Sequence, residues 1–147
     1  MFKRHTLSSK LYSQNDFYKV FSNDLKWAGY EVIIESPFIT SRRFNELLPT
    51  ISTLRHRGVR VIVNTRNPEE HDHDYAGQAY DAIMALQELD VAVLYTTKLH
   101  RKLAIIDRKI TWEGSLNILS FSDSCELMRR HVDESVASST IKFLNIY

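Results

Sequence analysis

Residues 98–120 read KLHRKLAIIDRKITWEGSLNILS, which sets His100, Lys102 and Asp107 along an otherwise apolar stretch and closes on Gly114, Ser115 and Asn117. An imidazole can attack an electrophilic centre or carry a proton, and an ammonium beside it can neutralise an anionic oxygen on that centre. If the stretch is a strand, residues two apart share a face. His100 and Lys102 then point one way, with Arg101, Leu103 and Ile105 on the other side. Asp107 has the opposite parity to His100 and is expected to orient the site. Gly114 allows a tight turn. Ser115 and Asn117 add a hydroxyl and an amide where a helix start would already favour anions. Together these groups describe a phosphate cradle with a nucleophile at its side.

Several elements must position such a site. Ser13 caps a helix over residues 13–28, whose apolar stripe is Phe17, Val20, Phe21, Leu25 and Trp27. YEVIIESPFIT reads as a buried strand. A second helix starts at Ser41, turns Phe44, Leu47, Leu48, Ile51 and Leu54 inward, and carries Pro49, which should kink or split it. VRVIVNT is a strand, GQAYDAIMALQELD a helix and VAVLYT a strand; HRKLAIID and KITWEG form a strand pair. The tail SVASSTIKFLNIY suggests a short strand and a closing helix. The alternation predicts a single α/β domain over residues 1–147, with a mixed, mainly parallel central sheet flanked by helices on both faces.

Composition narrows the function classes. The chain has a net charge of +1 and one cysteine, Cys125, which excludes an internal disulfide framework and points to a reducing, cytoplasmic setting. The start, MFKRHTLSSK, lacks the apolar run of a signal peptide, and no stretch is long and apolar enough to span a membrane. Charge is uneven, however. Arg42, Arg43, Arg55, Arg57, Arg60 and Arg66 make the second quarter basic, and Lys98, Arg101, Lys102, Arg108 and Lys109 surround the motif. One basic side of a folded surface is therefore possible despite the low net charge.

The pattern of histidine, lysine two on, aspartate five further, then Gly-Ser-x-Asn resembles the phospholipase D superfamily. The strands YEVIIESPFIT, VRVIVNT and VAVLYT also follow that family's order, so the resemblance covers most of the chain. It is closest in texture to single-motif members associated with DNA helicases and other nucleic-acid enzymes. The resemblance implies that His100, Lys102, Asp107, Ser115 and Asn117 are catalytic. It further implies that a downstream acid, Glu126 first and Glu113 second, hydrogen-bonds the histidine and sets its tautomer. Gly114, Arg42, Arg43 and Arg101 are the substrate-binding candidates, the two arginines at 42 and 43 lying after a strand end where such domains bind ligands. The family's chemistry needs two histidines and no metal or other cofactor. One motif per chain then implies a homodimer with the active site on its two-fold axis.

Three functions remain open on this reading. The first is a metal-independent nuclease acting through a phosphohistidine, on DNA in preference to RNA, with a helicase or other nucleic-acid enzyme as a further partner. A phospholipase D-type lipid phosphodiesterase would use the same residues, but no basic amphipathic segment offers a membrane-facing surface. A nucleic-acid-binding module that holds phosphate without cleaving it is the third. The cluster HDHDY, residues 71–75, reads as a solvated loop rather than a metal site, and Tyr95 and Trp112 as core or dimer-interface residues.

Overall fold

The computed structural model describes residues 8–147; the basic start of the chain, residues 1–7, lies outside them. The elements are β1 (Ser9–Ser13), α1 (Gln14–Lys26), β2 (Glu31–Glu35), α2 (Ser41–His56), β3 (Arg60–Thr65), a 3-10 turn (Pro68–Glu70), α3 (His73–Glu88), β4 (Ala92–Tyr95), β5 (Leu103–Ile106), β6 (Ile110–Gly114), β7 (Leu127–Val132) and α4 (Glu134–Leu144). All seven strands form one sheet in the order β1-β7-β6-β5-β2-β3-β4.

Strand alternation splits the interior in two. Val32, Ile34, Val61, Val63, Ala104, Ile106, Trp112 and Met128 face α1, α2 and α3, meeting Phe17, Phe21, Leu25, Phe44, Leu47, Ile51, Leu54 and Leu86. Ile33, Ile62, Leu103 and Ile105 face the other way, against Ala137 and Leu144 of α4. Helices thus cover both faces of a mixed sheet, as the sequence predicts. The balance of directions differs from expectation. Only β2–β3 and β3–β4 run parallel, while β1–β7, β2–β5, β5–β6 and β6–β7 are antiparallel. A three-residue turn joins β5 to β6, and such short connections produce hairpins, whereas parallel neighbours need a crossover.

Three local expectations are corrected. α2 is one continuous helix through Pro49, which sits on its exposed side, so the carbonyl that proline leaves unpartnered can turn to water. Trp27 is not part of the buried stripe: it caps the end of α1 and is 76% exposed. Neither β1 nor β7 is apparent in the hydrophobic pattern. β7 carries Arg129, Arg130 and His131, and its buried anchor is Met128. Arg130 is accommodated because the carboxylate of buried Asp24 accepts from its Nε and Nη2, each at 2.8 Å, together with the indole N–H of Trp112 at 2.8 Å. Trp112 is fully buried and belongs to the core, whereas Tyr95 is half exposed.

Candidate active site

The carboxyl ends of β2, β3 and β4, the start of β5, the end of β6 and the start of β7 all lie at one end of the sheet. Open α/β sheets place ligands there, and most of the motif converges on it. His100 and Lys102 lie in an extended segment before β5 rather than within a strand. The geometry still joins them. The Lys102 ammonium donates to the His100 carbonyl at 2.6 Å and lies 3.2 Å from His100 Nδ1. An ammonium offers no acceptor, so a charged Lys102 makes Nδ1 the acceptor and leaves the ring proton on Nε2. The His100 side is exposed and Lys102 is half-buried. Partial burial, foremost, pulls the Lys102 ammonium below the ordinary lysine range; the Glu126 carboxylate opposes this, and the Arg66 guanidinium adds to it.

Asn117 is presented by a short loop that folds back into the core. Leu116, Ile118 and Leu119 are buried among the α1 and α2 side chains. The Tyr18 hydroxyl donates to Ile118 O at 2.6 Å, and burial holds that phenol well above the tyrosine range, so it remains a donor. Thr40 N donates to Leu119 O at 3.0 Å, and Thr40 Oγ1 accepts from Phe121 N at 2.8 Å. Asn117 Oδ1 is enclosed and has no hydrogen-bond partner among the described residues. The enclosed oxygen leaves the amide NH2 as the exposed end of this half-buried side chain, a donor suited to an anionic oxygen.

Other motif residues serve the framework. A Cβ on Gly114 would stand 2.1 Å from Leu127 O and 2.9 Å from Met128 Cα, so glycine is needed for β6 to approach β7 rather than for phosphate contact. Ser115 is bound to β7: its hydroxyl donates to Leu127 O at 3.3 Å and accepts from Leu127 N at 3.0 Å. Asp107, expected to orient the site, lies at the opposite end of β5. Its carboxylate accepts the backbone N–H groups of Gly29, Tyr30 and Glu31 at 2.9, 2.8 and 2.9 Å. The four residues of β5 separate it from Lys102, so it anchors the entry to β2 at the far end of the strand from the histidine. Glu126 stands beside the site, but Ser124 Oγ binds its carboxylate at 2.8 Å and it makes no hydrogen bond to His100 among the described residues. Glu113 binds His131 at 3.0 Å.

The arginines divide in the same way. Arg101 leaves the catalytic side and forms a two-pronged pair, 2.8 and 3.0 Å, with fully buried Glu35, which Asn64 also binds at 2.7 Å. This pairing neutralises a buried carboxylate. Arg42 lies over the Phe121 ring at 3.7 Å; Arg43 lies over Tyr18 at 3.5 Å and pairs with Glu46 at 2.7 Å. Arg66 is a further cation beside the site, which sequence reasoning noted only as part of a basic segment. Its Nε donates to Leu99 O at 2.6 Å, next to His100, its guanidinium packs 5.6 Å from the Phe38 ring, and no carboxylate pairs with it among the described residues. Its signal was position: it is the first residue after β3. In HDHDY, His71 packs on Phe38 at 4.8 Å, and Asp72 caps α3 by accepting Tyr75 N at 3.2 Å. Burial, and next the Arg66 charge, hold His71 below the ordinary histidine range. Among the described residues, no three His, Cys, Asp or Glu side chains are grouped to hold a metal ion.

A mixed α/β sheet that carries an adjoining histidine and lysine, an exposed amide donor and an unpaired arginine at one end has the makings of a phosphate-handling domain. The family model described as "Cardiolipin synthase, PLD-like domain" matches residues 21–145, and the chain belongs to this phospholipase D-like family, whose superfamily comprises phosphodiesterases. No curated protein matches its sequence. The fold is shared with Nuc of Salmonella typhimurium, a phospholipase D family member (12% identity, TM-score 0.74, 92% of this chain and 90% of that one). NucT from Helicobacter pylori is likewise similar (19% identity, TM-score 0.73, 92% and 91%). So is the phosphatidylserine synthase of Haemophilus influenzae (12% identity, TM-score 0.78), where the match covers 95% of this chain and 36% of that one.

Proposed function

We propose that this chain is a metal-independent phosphodiesterase that cleaves nucleic acid, DNA in preference to RNA, with its active site completed by a second copy. The observation that carries the reading is the close approach of Lys102 Nζ to His100 Nδ1, 3.2 Å, on an exposed imidazole. A phosphate oxygen arriving at the site replaces Nδ1 as the partner of the ammonium, and the released imidazole lone pair attacks phosphorus. An N–P bond forms and the P–O bond to the leaving group breaks, with the leaving oxygen taking a proton from the second copy's imidazolium. Water then attacks phosphorus as that imidazole takes a proton from the water, and the N–P bond breaks to free His100. Asn117 and Lys102 stabilise the developing charge, and removal of one such donor typically costs roughly 10²–10³ in rate.

Apolar surface is also exposed on the α4 side of the sheet. There α4 leaves Leu11, Leu127 and Phe143 exposed. A hollow of about 620 Å³, bordered by Arg101, Leu127, Arg129 and Phe143, reaches Lys102. A closed two-fold contact at the end of the sheet that carries His100 would bring the two histidines toward one another. Nucleic acid is favoured over lipid by the cations at this end of the sheet: Arg66 is unpaired, and Arg42 lies over an exposed aromatic ring.

The test is cleavage of single- and double-stranded DNA and RNA in excess EDTA, with His100→Ala alongside and with phosphatidylglycerol micelles as the lipid arm. Cleavage of nucleic acid that survives the chelator and is lost in the variant is expected. Binding without turnover would instead establish a nucleic-acid-binding module, and cleavage of lipid alone would establish a phospholipase. A monomer by sedimentation that still cleaves would exclude the shared site.

A further inference from the structure

A recess of about 300 Å³ adjoins the catalytic centre on its Asn117 side, lined by Gln14, Tyr18, Arg43, Asn117, Asp123 and Glu126 among others. We infer that it is a nucleobase pocket that takes one unpaired base next to the phosphate held by His100 and Lys102. The inference deepens the nucleic-acid reading above and rests on it.

Position comes first. Asn117 and Glu126 both line the recess, and the Glu126 charge acts on Lys102, which sets the recess beside the phosphate site. A polymer whose phosphate sits at His100 must place a neighbouring sugar and base along one wall or another, and this recess is one of the two hollows that border the site. Its volume falls at the lower end of small-ligand pockets, roughly 300–1,000 Å³, so it holds one heterocycle and not a duplex end.

The lining then selects the ligand. An acyl chain would strand the polar groups of this wall without partners, at a cost each. A second phosphate would face the carboxylates of Asp123 and Glu126, while the one cation, Arg43, is already matched by Glu46 at 2.7 Å. A neutral ring with its own donors and acceptors meets neither objection. Asp123 lies exposed, and its carboxylate has no partner among the described residues. Gln14 Oε1 accepts from Glu126 N at 2.9 Å, which leaves the Gln14 NH2 to donate. Phe121, with Arg42 stacked on it at 3.7 Å, supplies a flat apolar surface at the same pocket. Donors, acceptors and a π-face together are what reads an unstacked base.

Two consequences follow. The base must be outside a duplex stack, so the substrate is single-stranded or locally unpaired. The carboxylates are acceptors, so a base with an exocyclic amino group (adenine, cytosine or guanine) is preferred to thymine or uracil at that position. Direct readout of this kind discriminates by roughly 5- to 100-fold.

The experiment uses the full-length protein, a pool of single-stranded oligonucleotides with randomised bases around a central phosphate, and sequencing of the product ends. The expected result is enrichment of amino-bearing bases at one position adjoining the cut, reduced at least threefold in Asp123→Ala and in Gln14→Ala. Asp123 makes no contact that folding needs, which keeps its variant informative. Cleavage with no enrichment, or enrichment unchanged in both variants, would overturn the pocket while leaving the nuclease intact. Failure of the wild type to cut any nucleic acid, while it hydrolyses bis(4-nitrophenyl) phosphate, would overturn the nucleic-acid reading and the pocket with it.

Discussion

Replacing Asp107 separates the two roles open to the third residue of the motif. Its carboxylate accepts three backbone N–H groups, those of Gly29, Tyr30 and Glu31, at 2.9, 2.8 and 2.9 Å. Hydrogen bonds to a charged acceptor contribute about 1.5–3 kcal/mol each when buried, and neutral exposed ones nearer ~1 kcal/mol. The Gly29 and Tyr30 amides are near solvent and can rebind water, whereas the Glu31 amide belongs to a buried residue. Asp107 also sits at φ +54°, a conformation that aspartate and asparagine tolerate and that costs alanine roughly 1–2 kcal/mol. Summed with the discount for rehydration, Asp107→Ala should lose about 3–5 kcal/mol of stability. Asp107→Asn keeps one acceptor oxygen and the backbone preference and should lose about 1–2 kcal/mol, because its NH2 now opposes one backbone donor. Urea unfolding measures both. Turnover per folded molecule, measured below the unfolding transition, should change less than tenfold in Asp107→Asn. An unchanged unfolding midpoint joined to a hundredfold loss of turnover would refute the anchoring role and return Asp107 to the reaction.

Gly114→Ala should separate the end of β6 from β7, since its Cβ would stand 2.1 Å from a backbone oxygen; a loss of about 3 kcal/mol or more in urea unfolding is expected, and native stability would show that the strands have room. Lys102 must carry its proton to neutralise phosphate, and burial lowers its pKa. The alkaline limb of kcat/KM should therefore lie below the ordinary lysine range, and Lys102→Arg, which stays charged, should shift it upward; an unmoved limb would show that another group controls it. Asp133 caps α4 through the Ser135 hydroxyl and the backbone N–H groups of Ser135 and Val136, which hold its carboxyl below the usual aspartate range. Its stabilising contribution is complete above the unfolded-state value and lost as pH falls through the folded-state value. The thermal midpoint of Asp133→Ala should thus trail the wild type at neutral pH and converge with it in strong acid; a gap of constant size would refute the linkage.

Sequence patterning revealed the central elements, but with systematic gaps. The interior strands β2, β3 and β5 are legible because both their faces are buried and their apolar runs are unbroken. β7 is not, because Arg130 is affordable there only through Asp24, a partner 106 positions away. Likewise Pro49 reads as a break, yet its exposed position lets the helix continue.

The chain's order of residues by itself determined which chemical groups are available: an imidazole and an ammonium two positions apart, an amide beyond a glycine, and the family to which that combination belongs. Spacing along a chain cannot say at which end of a strand a side chain emerges in space or which partner reaches it first. The tertiary structure decided that Lys102, Asn117 and Glu126 share one end of the sheet while Asp107 serves the other. It also turned Arg101 toward a buried carboxylate, while Arg66, unpaired with any carboxylate among the described residues, binds Leu99 O next to His100. The physical reason is that a buried charge must be matched. Glu35 and the free amides at the start of β2 take the first claim on Arg101 and Asp107, and only groups without such a claim are left to face a substrate.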